Sequence, residues 1–84
     1  MRSYYITFRS VTLAQRGERT LRRAGIDCAL QRTPKWMEER GCGYCLRLRP
    51  GDALRGVGVL REGGITYSRV FAQKEDGRVE ELTL

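Results

Sequence analysis

The chain of 84 residues contains no histidine, which removes the commonest metal ligand and the side chain whose free pKa lies nearest neutrality. Cysteine-histidine catalysis within one chain is thereby excluded. Any general acid or base would have to be a shifted carboxylate, lysine, cysteine or tyrosine, and no paired-carboxylate pattern occurs, which argues against hydrolase chemistry. Long apolar runs are also missing: none approaches the roughly 20 residues that span a bilayer, and the N-terminus lacks the apolar stretch of a signal peptide. A soluble, cytoplasmic protein is therefore expected, a setting in which free or transiently oxidised cysteines are commoner than structural disulfides. Neither a resident metal nor a cofactor is expected.

What is present points to one small α+β domain. Hydrophobic residues make up 40% and charged residues 31% of the chain, which are globular values. A chain of this length supports a single modest core and leaves little room for a large enzymatic cleft. The formal net charge of +6 suits an acidic or phosphate-bearing partner, since charge bears on partners and solubility rather than on fold. Many of the arginines, however, fall on the solvent side of the expected elements.

Tyr4-Tyr5-Ile6-Thr7-Phe8 is rich in aromatic and β-branched residues and reads as a first strand. Ser10 then suits a helix N-cap, and Leu13, Ala14, Gly17, Leu21 and Ala24 trace an apolar stripe that Gly25 terminates. Ile26, Cys28 and Leu30 alternate with polar or small residues as a second strand. Tyr44 to Arg49 reads as a third, with Tyr44, Leu46 and Leu48 on one face and Cys45, Arg47 and Arg49 on the other. A short glycine-weakened helix from Ala53, closed by Gly63-Gly64, leads to a fourth strand over Ile65 to Phe71. The order β-α-β-β-α-β predicts a ferredoxin-like fold, a four-stranded antiparallel sheet in the order 4-1-3-2 with two helices on one face. The expected domain covers residues 1–72, and residues 73–84 form a polar tail or, through Asp76-Gly77, a hairpin.

The sharpest chemical signal is Arg40-Gly41-Cys42-Gly43-Tyr44-Cys45, two thiols at the junction of a glycine loop and a strand. The spacing alone fits a metal knuckle, a redox pair or a persulfide carrier. Zinc and iron-sulfur sites usually take four ligands, so a metal here would have to be shared across a dimer. Thioredoxin-type chemistry places its motif at the start of a helix, whereas this pair enters a strand. A thiolate is favoured by a helix N-terminus or a guanidinium. The expected topology brings Ser10 towards the loop, and Arg9 and Arg40 add positive charge, so Cys42 is the candidate reactive sulfur and Cys45 an auxiliary or resolving one. Cys28 alternates with Ile26 and Leu30 and reads as core.

The Tyr4–Phe8 run with Ser10, the helix ending Leu21-Arg22-Arg23-Ala24-Gly25-Ile26, the Cys42-Gly43 step before an apolar strand, and Gly64-Ile65 before the last strand together resemble the Se/S carrier protein-like family over about residues 3 to 71. That resemblance implies a small domain carrying sulfur or selenium on a thiol, with Cys42 as the carrier residue, Gly43 as its loop partner, and donor and acceptor proteins as partners. Arg40-Gly41 departs from the small hydroxyl residues common before the family's cysteine, and Cys45 is an added thiol.

The alternative is a basic binding or assembly module without thiol chemistry. Tyr5, Tyr44, Tyr67 and Phe71 would then offer bases a stacking surface, although the third strand lacks the aromatic-rich signature of RNA-recognition modules and RNA is not the expected partner. Trp36 would anchor a protein, and the open sheet face would pair two copies as a homodimer.

Overall fold

The computed structural model describes residues 3–34 and 43–82. Strand β1 (Ser3–Phe8) leads into helix α1 (Val11–Arg23), followed by β2 (Cys28–Arg32), β3 (Tyr44–Leu48), a 3-10 turn (Pro50–Asp52), α2 (Ala53–Glu62), β4 (Val70–Gln73) and β5 (Val79–Leu82). The strands form one sheet in the order β2-β3-β1-β4-β5, and every neighbouring pair is antiparallel. The described residues are thus α+β, with two α-helices and an antiparallel sheet of five strands where four were expected.

Alternation along the strands decides which side chains meet the helices. In β1, Ile6 and Phe8 join Leu46 and Leu48 of β3, Cys28 of β2 and Val70 of β4 in a core that also contains Ala14 and Leu21 of α1 and Val57 and Leu60 of α2. In α1, Ala14, Gly17 and Leu21 are buried at the three- and four-residue spacing that puts them on one helix face. Arg16, Arg19, Arg22 and Arg23 lie on the exposed side.

The helix ends follow from local chemistry. Leu13 donates its backbone N–H to Ser10 Oγ at 3.2 Å, satisfying one of the unpaired donors of the first turn. At the other end, Gly25 N–H bonds Arg22 O and Ile26 N–H bonds Leu21 O, both at 3.0 Å. Helix α2 ends in the same way, with Gly64 N–H on Arg61 O at 3.1 Å and Ile65 N–H on Leu60 O at 2.9 Å. These are Schellman closures. Both need the left-handed backbone seen at Gly25 (φ 78°) and Gly64 (φ 70°), and both deliver an isoleucine into the core.

The fourth strand starts five residues later than expected. Thr7 N–H reaches Arg69 O at 2.8 Å, while Thr7 O accepts from Ser68 N–H at 2.7 Å; Arg69 N–H is diverted to Thr7 Oγ1 at 3.0 Å. Two residues thus oppose one, the arrangement of a β-bulge, and regular pairing begins only at Val70. The chain then continues to Gln73 and turns through residues 74–78, with Gly77 N–H on Lys74 O at 2.9 Å and Lys74 N–H on Arg78 O at 2.8 Å. Asp76 braces this turn by accepting from Arg78 N–H at 3.0 Å and Arg78 Nε at 2.7 Å, contacts that hold its carboxyl below the usual range. Of the two expectations for this segment the structure takes the hairpin, with β5 at Val79–Leu82.

Candidate functional site

Antiparallel pairing places the end of β1 beside the start of β3: Phe8 pairs with Tyr44 and Thr7 with Cys45. On the other side Gln31 pairs with Cys45 and Arg32 with Tyr44. The β2–β3 ladder extends one step further, where Thr33 N–H donates to Gly43 O at 3.0 Å. Gly43 therefore enters the sheet at the end from which Arg9 and Ser10 leave it. Arg9 is exposed there, and the Ser10 hydroxyl is engaged as the cap of α1. Arg40, Cys42 and Trp36, the other residues singled out for thiol chemistry or partner binding, lie outside the described residues.

Cys45 points away from the helices, as alternation requires, yet it is fully buried and clusters with Tyr5 and Phe71. Burial pushes its thiol above the ordinary value, outweighing the opposing effect of the Thr33 hydroxyl and the Gln31 amide beside it. A buried group pays for losing water in its charged form, so Cys45 is a neutral thiol at physiological pH. Cys28 is also buried, at 7% exposure. Desolvation is again the first cause of its raised pKa, and the nearby Arg22 guanidinium only partly offsets it. Its Sγ donates weakly to Glu18 O at 3.9 Å. Both cysteines are free thiols.

Thr33 was missed by sequence reasoning. It is 7% exposed, and its Oγ1 is buried without a hydrogen-bond partner among the described residues, although it stands close enough to Cys45 to favour the thiolate slightly. An unsatisfied buried hydroxyl costs about 1–3 kcal/mol. The side chain lies over Gly43: a Cβ at position 43 would stand 2.8 Å from Thr33 Oγ1 and 3.1 Å from Thr33 Cβ. Threonine is stiff at χ1, so this space is closed to any larger residue. The only signal in the sequence was Thr33-Pro34 at the end of an alternating strand, which reads equally well as a strand terminus.

The aromatics offer little stacking area. Tyr44 and Tyr67 pack against the helix-side core, while Tyr5 and Phe71, on the other face, are 7% and 8% exposed. The arginines gathered around one cleft are engaged internally. A cleft of about 340 Å³ is lined by Arg22, Arg47 and Arg49 along with Ser3, Asp27 and Cys28, but Arg49 pairs with Asp27 at 2.6 Å, Arg47 Nε donates to Ser3 Oγ at 3.2 Å, and Arg22 donates to Cys28 O at 2.8 Å. No group of three or more metal-ligating side chains occurs among the described residues, and no described helix is long and apolar enough to cross a membrane.

Comparison with curated proteins finds no match, and neither does comparison with solved structures. A family model described as Putative Se/S carrier protein-like matches residues 3–72, a span that runs from the start of β1 into β4 and includes the Cys42-Gly43 step, leaving β5 beyond it. With most of its length matched, the chain belongs to the Putative Se/S carrier protein-like family.

Proposed function

We propose that the protein carries sulfur or selenium on Cys42, within a ferredoxin-like frame that holds the Cys-Gly step at the mouth of β3. The observation that carries this reading is the state of the other two thiols: Cys28 and Cys45 are both buried, and burial raises both pKa values. A thiolate is the reactive form of cysteine, so two of the three cysteines in the sequence are poorly suited to accept cargo, and the carrier role falls to Cys42. The family match supports a carrier role for the chain without choosing among its cysteines, since residues 3–72 include all three.

Loading is a simple displacement. The Cys42 thiolate attacks the terminal sulfur of a donor persulfide, the donor's S–S bond breaks, and the donor leaves as its thiolate while Cys42 becomes a persulfide. One S–S bond replaces another, with no net oxidation, and discharge to an acceptor thiolate is the reverse reaction. Such chemistry needs no general base beyond whatever keeps Cys42 ionised, in keeping with a chain that has no histidine. Cys45, three residues further along and neutral, is a weak competitor for the cargo rather than its first acceptor.

The test is loading by a small-molecule persulfide, read by intact-protein mass spectrometry on Cys42→Ser, Cys28→Ala and Cys45→Ala. The serine variant should take up no sulfur, and each alanine variant should load like the parent. Equal loading of Cys42→Ser and the parent would eliminate the carrier assignment.

A further inference from the structure

The cleft of about 340 Å³ lies where β2 starts and β3 ends, and Arg22, Arg47 and Arg49 line it together with Ser3, Asp27 and Ala29. Arg49 is still extended, at φ −72° and ψ 154°, so it shares a sheet face with Arg47, two residues earlier. Ala29 pairs with Arg47, which leaves only a methyl group beside that arginine. Three guanidiniums therefore face one carboxylate in the lining. A second acid, Glu18, stands 3.3 Å from Arg22 Nη2 on α1 and is not part of the lining.

Each arginine is held by one nitrogen. Arg47 donates from Nε to Ser3 Oγ at 3.2 Å, Arg49 from Nη2 to Asp27 at 2.6 Å, and Arg22 from Nη2 to Cys28 O at 2.8 Å. A guanidinium carries five N–H donors in a rigid fork, so most of the donors remain for a ligand. Arg47 is the clearest case. Its inner nitrogen is anchored to a neutral hydroxyl, and its two terminal nitrogens have no acceptor among the described residues. The Arg49–Asp27 pair has side chains 72% and 69% exposed; such surface pairs contribute little, so Arg49 turns to a stronger acceptor at small cost.

We propose that this cleft binds the phosphate group of a small organic phosphate monoester, with the terminal nitrogens of Arg47 as its principal donors and Arg22 and Arg49 completing the cradle. A monoester dianion balances the charge by which three arginines exceed one aspartate in the lining, and its oxygens accept charge-assisted bonds from several directions. A single carboxylate is flat, carries half that charge and leaves one guanidinium unused. The cleft volume falls within the range of small-molecule sites, roughly 300–1,000 Å³, which leaves room for the organic group. Along β3 the cleft lies at the Leu48 end and Gly43 enters the sheet at the Tyr44 end. A rise of about 3.3 Å per residue sets those ends roughly 13 Å apart, so the inference does not rest on the carrier reading.

The experiment is an NMR titration of the full chain at fixed ionic strength, with ribose 5-phosphate and inorganic orthophosphate as probes, read at the backbone amides of Ala29, Arg47 and Arg49. Both probes should give saturable shifts there, the sugar phosphate at lower concentration; equal affinities would identify free phosphate as the ligand of the same cradle. Arg47→Gln removes the open fork, and Ala29→Leu fills the cleft while keeping every charge. Each should weaken binding by roughly tenfold, the scale of one lost bond to a charged group. Arg19→Gln removes the same charge from the exposed side of α1 and should change the affinity by less than about twofold, since screening isolates distant surface charges. Absence of saturable shifts in the parent overturns the proposal. So does parent-like affinity in either cleft variant, or a loss in Arg19→Gln equal to that in Arg47→Gln. Persulfide loading does not enter this readout, so the carrier reading stands or falls separately.

Discussion

Leu46→Ala should lower the thermal midpoint by about 10 °C or more, while Leu54→Ala should leave it nearly unchanged. Leu46 is fully buried at the centre of β3, paired with Ile6 on one side and Leu30 on the other, and its Cδ1 would stand 3.3 Å from a Cβ added at Gly17 of α1. Truncating a leucine in such a place costs about 2–5 kcal/mol, through lost transfer energy and the cavity left behind. A domain of this size changes its midpoint by roughly 4–8 °C for each kcal/mol. Leu54, by contrast, is 72% exposed on α2. Differential scanning calorimetry of the two variants checks both the core assignment and the orientation of α2. Equal midpoints would contradict the burial pattern on which the placement of Cys45 depends.

The second large effect concerns the buried thiols and pH. Cys28 and Cys45 should resist alkylation in the native protein and react only at the rate of unfolding, whereas both should react at once in denaturant. The same burial links stability to alkaline pH. Each folded thiol has a pKa raised above that of the unfolded chain, so each stabilises the fold fully below the unfolded thiol pKa of about 8.5. As pH rises through that value the unfolded chain releases protons that the folded chain retains, and stability falls until the folded thiols themselves ionise. Urea midpoints measured from pH 7 to 10 should therefore decline, and the decline should be shallower in Cys45→Ala than in the parent. The alanine variant will start lower because of its cavity, but the slope isolates the ionisation. Identical slopes would mean that Cys45 is not buried as a neutral thiol.

Much of the architecture was legible because strand alternation and helix closure are local. Tyr44-Cys45-Leu46-Arg47-Leu48 declares its two faces by period alone, Gly25 and Gly64 sit where their helices end, and Ser10 caps as its position suggests. The fourth strand was misjudged because Thr7 draws Ser68 and Arg69 into a bulge, a long-range contact that no window of sequence displays. The fifth strand was legible only as one of two options, the hairpin that Asp76-Gly77 allows, because its polarity suits a tail equally: Glu80 and Glu81 are exposed on an edge strand, where charge is the expected guard against further pairing.

The site was legible in part. Cys42 and Cys45 are conspicuous as a pair, yet the burial of Cys45 depends on its lying in the middle of a sheet that covers it from both flanks, through Thr7 and Gln31. Burial makes Cys45 a core cysteine with a raised pKa, which its position in the pair does not announce. Thr33 left no trace in composition or spacing, because its significance comes from the register that sets it opposite Gly43.

The central claim is that cargo resides on Cys42. Peptide-resolved mass spectrometry of the parent protein, loaded with a persulfide donor and blocked before digestion, tests it most directly. Trypsin places Cys42 and Cys45 on one peptide, between Arg40 and Arg47, and fragmentation of that peptide separates them. The account predicts one added sulfur atom on Cys42 and none on Cys28 or Cys45. Sulfur found on Cys45 or Cys28, with Cys42 unmodified, would contradict it.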